Sequence, residues 1–65
     1  MMDPEIPNGT RAVVIKPSSD TSKKVVFDLL SLPFDTTLAQ LISNALAAFL
    51  DAGISISQGY KIYFV

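Results

Sequence analysis

The chain has 65 residues, a formal net charge of −1, 49% hydrophobic and 17% charged residues, and neither cysteine nor histidine. Disulfides and thiolate metal sites are thereby excluded, the commonest general base and metal ligand is missing, and a pI near 4.9 leaves no basic footprint for nucleic acid. A single domain of this length buries only about 60% of the surface its unfolded chain exposes, so a mean hydropathy of +0.41 is more apolar than a free-standing domain needs and points to an oligomer or a complex.

Residues 1–10 carry Pro4, Pro7 and the dipeptide Asn8-Gly9, which read as a flexible arm ending in a turn. The acidic, proline-interrupted start lacks the form of a signal peptide. No apolar run approaches the roughly 20 residues of a membrane span, so no membrane partner is expected and the default location is intracellular. The domain proper spans residues 11–65. Arg11 to Lys16 (RAVVIK) is β-branched and stops at Pro17, which predicts a strand. After the polar loop PSSDTS, Lys23 to Leu30 (KKVVFDLL) places Val25, Phe27 and Leu29 on one face at period two, a second strand. So short a connection favours an antiparallel hairpin.

Pro33 pushes Leu32 out of helical geometry, and a helix follows in Thr36 to Leu50 (TTLAQLISNALAAFL). Thr37 with Gln40 has the form of a capping box, while Asp35 as N-cap would staple Phe34 against Ala39; both caps fit the pattern. Leu38, Leu41, Ile42, Ala45, Leu46 and Phe49 recur at helical spacing, and Gly53 is the expected stop. Beyond it, Ile54 to Ser57 and Tyr60 to Val65 flank Gln58-Gly59. This is one long strand or a second hairpin, and the glycine favours the hairpin. The expected architecture is α+β, ββαβ(β), with one helix across a mixed sheet of three or four strands.

That element order, together with PFDTTLAQLISNAL entering the helix through a polar turn, resembles the β-grasp architecture of ubiquitin-like, Ras-association and immunoglobulin-binding bacterial domains. The resemblance covers Arg11 to Val65 at the level of topology. With no Gly-Gly after Phe64-Val65, conjugation through the C-terminus is not implied, and the shorter four-stranded members are the closer match. What the resemblance implies is a binding module.

Little in the chain supports catalysis. Asp3, Glu5, Asp20, Asp28, Asp35 and Asp51 are scattered over arm, loops and caps, where carboxylates serve local backbone hydrogen bonds. No Gly-rich phosphate loop is present. The expectation is therefore a protein that is not an enzyme and has no catalytic, metal or cofactor site.

The basic residues fall on or beside strands. If Val25, Phe27, Leu29, Tyr60, Ile62 and Phe64 face the helix, then Lys24, Val26, Lys61 and Tyr63 share the opposite sheet face with Asp28 and Val65. Those four are the candidate protein-binding residues, offering apolar contact with a charged rim; the plainer reading is that strand lysines guard an edge against aggregation. The helix carries no charge between Asp35 and Asp51. Its outer side, Gln40, Ser43, Asn44 and Ala47, is the candidate homo-oligomer interface, because Ala39, Ser43 and Ala47 would let another backbone approach closely. Such residues are also adequate exposed helix formers. The functional expectation is a non-enzymatic protein-protein interaction module that self-associates, with the outer sheet face or an exposed edge strand taking the partner. A second reading is a structural or assembly subunit, for example of viral or phage origin, permanently buried in a larger particle.

Overall fold

The structure, a computed structural model, describes residues 5–65; residues 1–4 of the expected arm lie outside them. In chain order the elements are β1 (Ala12–Pro17), β2 (Val25–Asp28), a 3-10 turn (Leu29–Ser31), α1 (Leu38–Asp51) and β3 (Tyr60–Phe64). They build a small α+β domain in which one helix covers one face of a three-stranded sheet of order β2-β1-β3.

The sheet is antiparallel throughout, which corrects the expected mixed sheet. The β1–β2 loop reverses the chain once. The connection through α1 then returns β3 in the same sense as β2, as a crossover of more than a dozen residues permits. β1 occupies the slot between these two, so every neighbouring pair is antiparallel. Val13 stands opposite Phe27 on one side and Phe64 on the other, and Ile15 opposite Val25 and Ile62. Pro17 is tolerated at the end of the central strand because β1 outlasts β2 there, so its missing N–H deprives no partner. In the β1–β2 loop, the Ser22 hydroxyl and backbone N–H donate to the Asp20 carboxylate and hold its pKa below the ordinary value. This contribution to loop order is present above the unfolded pKa and is lost as pH falls through the lower folded one.

At the helix entrance the sequence left two caps open, and Thr37 is the one formed. Its hydroxyl accepts from Gln40 N–H at 3.2 Å and the Gln40 side chain accepts from Thr37 N–H at 2.9 Å. Phe34 does not staple and stands fully in solvent. Thr37→Ala is expected to cost about 1 kcal/mol, read as a lower chemical-denaturation midpoint with unchanged slope. At the other end, Gly53 (φ 76°) donates to Leu50 O and Ile54 donates to Phe49 O at 2.8 Å, a Schellman stop.

That stop also explains why the favoured second hairpin is absent and only one strand follows the helix. Ile54 N–H is committed to the helix end, the Ser55 carbonyl accepts from the Ser19 hydroxyl at 2.7 Å, and Ile56 accepts from Gly59 in a turn. Ile54 and Ile56 instead turn their side chains onto the core. Likewise the second strand is shorter than predicted. The Asp28 carboxylate caps Leu30 N–H and starts the 3-10 turn where Leu29 and Leu30 were expected to stay extended.

The core is small. Val13 and Ile15 from β1 meet Leu38, Leu41, Ala45 and Phe49 from α1, all essentially buried. Ile42 and Leu46 flank this stripe half-buried, as the helical spacing predicts. The helix lies mainly over β1 and β2. Tyr60 and Phe64, expected beneath it, are therefore 38% and 41% exposed at the uncovered end of the sheet's inner face.

Candidate functional site

The register arranges the outer sheet face in three rows. Asp28 lies beside Ala12, which exchanges main-chain bonds with Val65. Val26, Val14 and Tyr63 form the middle row across all three strands. Lys16 lies beside Lys61, and continuing the β1–β2 register one residue past Val25 brings Lys24 to their other side. The face thus runs from a small, acidic end through an apolar centre to a lysine end. Helix α1 covers the opposite face, so among the described residues this one has no second layer, and Val26 and Tyr63 are 53% and 45% exposed.

All four sequence-predicted binding residues, Lys24, Val26, Lys61 and Tyr63, are exposed and meet on this face. Sequence reasoning left out Val14 and Lys16, the members contributed by the central strand. The alternation of Val13 and Ile15 inward was the pattern that would have placed them outward. Like charges directly opposite on neighbouring strands destabilise a sheet. Lys16 relieves part of this by placing its Nζ 5.4 Å from the centre of the Tyr63 ring.

The predicted helix residues Gln40, Ser43, Asn44 and Ala47 are also exposed and lie together on the side of α1 away from the core stripe. Gln40 is partly occupied, since its side chain closes the capping box. An open groove of about 610 Å³ runs between Glu5–Thr10 and the stretch from Leu29 to Ala39, with Ile6, Leu32 and Leu38 among its walls and the exposed Phe34 at its rim. The hydroxyl of Thr10 there donates to Pro7 O and that of Thr37 serves the cap. Among the described residues no cluster of three acidic, histidine or cysteine side chains could hold a metal ion. No helix among the described residues is long and apolar enough to cross a membrane. No family model, curated protein or solved structure matches the chain.

Proposed function

We propose that this domain is a non-enzymatic protein-interaction module whose outer sheet face docks an acidic, apolar-centred segment of a partner protein. The observation that carries the reading is the middle row, Val26, Val14 and Tyr63, left open across every strand and bordered by Lys16, Lys24 and Lys61. Apolar and aromatic side chains at the centre with charge at the rim are the anatomy of a protein interface. A partner carboxylate beside the lysine row would remove the like-charge repulsion that the free domain carries. The β-grasp resemblance adds nothing to this proposal. The element order is shared, but the sheet pairing departs from the mixed sheet expected with it.

The test is a photo-crosslinking amino acid placed at Val26 or at Ala47, in the cells that make the protein. A discrete product with another protein from position 26, lost on Lys16→Glu with Lys61→Glu, supports the reading. Products from position 47 alone would overturn it.

A further inference from the structure

The two edges of the sheet differ in how their outward main-chain groups are disposed of. Ala12 exchanges hydrogen bonds with Val65 at 3.2 and 2.9 Å, and Ser18 N–H donates to Gly59 O at 3.0 Å. The alternation of an antiparallel ladder therefore turns the main-chain groups of Lys61 and Tyr63 toward β1 and those of Tyr60, Ile62 and Phe64 away from it. Among the described residues no hydrogen bond reaches the outward groups of these three. β2 is different. Leu29 N–H donates to Arg11 O, so Val26 and Asp28 point outward there; the Asp28 carbonyl is taken by the Ser31 hydroxyl at 2.8 Å, and Lys23 and Lys24 precede the strand. A short strand flanked by lysine and closed by its own turn is a blunted edge, whereas β3 is an open one.

We propose that β3 pairs antiparallel with β3 of a second copy of this chain, with Ile62 opposite Ile62 across a two-fold axis. This rests on the reading of the sheet side as an interaction surface. The register follows from the residues. Tyr60, Ile62 and Phe64 then exchange both main-chain bonds with Phe64, Ile62 and Tyr60 of the second copy, so every outward group on the strand is paired. On the inner face Tyr60 meets Phe64, the two aromatic side chains that the helix leaves exposed. On the outer face Lys61 meets Tyr63, repeating between copies the cation–ring contact that Lys16 makes within one. A slip that pairs Tyr60 with Ile62 sets Lys61 against Lys61, and the opposite slip, which pairs Ile62 with Phe64, sets Tyr63 against Tyr63 and takes Lys61 away from that ring. The product is one continuous six-stranded sheet with a helix of each copy on the same side, and its outer face stays free for the acidic partner. Because β3 is only five residues long, the contact is small and the dimer weak and reversible.

Amide hydrogen exchange at about 10 µM and at about 1 mM, a range that brackets a weak dimer, tests this. The amides of Tyr60, Ile62 and Phe64 are expected to slow by about tenfold or more on concentration, while those of Lys61 and Tyr63 are protected at both. The register is tested separately on the outer face, away from the core. Tyr63→Lys opposes two lysines at each end of the contact and is expected to raise the dimer dissociation constant on the order of tenfold, and Tyr63→Glu to lower it by several-fold. Concentration-independent exchange at the three amides would overturn the pairing, and so would equal dissociation constants for the two variants. Either result leaves the crosslink at Val26 unaffected, so the dimer and the docking face fail independently.

Discussion

Phe49→Ala is expected to leave the chain unfolded at 25 °C, without the cooperative thermal transition of the parent. Phe49 is 2% exposed and closes the C-terminal end of the core stripe against the sheet. Removing a buried phenylalanine ring costs about 3–5 kcal/mol, the sum of lost transfer energy and the cavity left behind. A single core in a domain below about 70 residues supplies no more than about 3–5 kcal/mol of net stability. The two magnitudes are equal, and this chain has no disulfide to make up the difference. Circular dichroism checks the result: a folded Phe49→Ala monomer with a transition near that of the parent would show that the helix-to-sheet contact is not the main source of stability.

The second large effect is expected at Ile15, which is fully buried at the centre of β1 between Val25 and Ile62. Ile15→Ala is expected to cost about 2–5 kcal/mol, whereas Ile15→Val, which removes one methyl group and keeps the β-branch, is expected to cost about 0.5–1.5 kcal/mol. The contrast matters because the valine variant stays folded and gives a measurable midpoint shift. Equal losses for the two substitutions in urea denaturation would mean that the site responds to backbone disturbance rather than to cavity volume.

The parts of the fold that were legible in the sequence are those in which one residue pattern had one structural solution. The helix stripe Leu38, Leu41, Ala45 and Phe49 and the inward alternation of Val25 and Phe27 follow from period alone. Gly53 as the helix stop follows from the need for positive φ. The errors arose where tertiary contacts took main-chain groups that a local reading left free. Ile54 to Ser57 has the composition of a strand, but its N–H and carbonyl groups are consumed by the helix end, by Ser19 and by the turn into Gly59. The direction of β3 relative to β1 depends on which slot the crossover enters, and no local pattern in the chain encodes that slot.

The candidate surface divides in the same way. Lys24, Val26, Lys61 and Tyr63 could be assigned to one face from alternation within their own strands. Their union with Val14 and Lys16, and the segregation of apolar row from lysine row, required the register between strands. The exposure of Tyr60 and Phe64 was hidden for another reason. Their period places them inward, but of the inward side chains of β3 only Ile62 packs against the core, and Tyr60 and Phe64 at either end of it stay exposed. An edge strand paired on one side only, with Tyr60 and Phe64 exposed, is a stronger reason for association than the neutral side of the helix, whose exposed Ser43, Asn44 and Ala47 hold no unsatisfied backbone.

The most direct measurement is sedimentation velocity across a concentration series on the wild-type chain, Ala47→Lys and Tyr63→Lys. Lysine is a good helix former at an exposed helical position and should change stability by no more than about 0.5 kcal/mol. The wild type and Ala47→Lys are expected to move from monomer toward dimer along the same curve, with Tyr63→Lys lagging behind both. A wild-type chain that stays monomeric at every concentration, or dissociation caused by Ala47→Lys and not by Tyr63→Lys, would contradict the assignment of association to the sheet side.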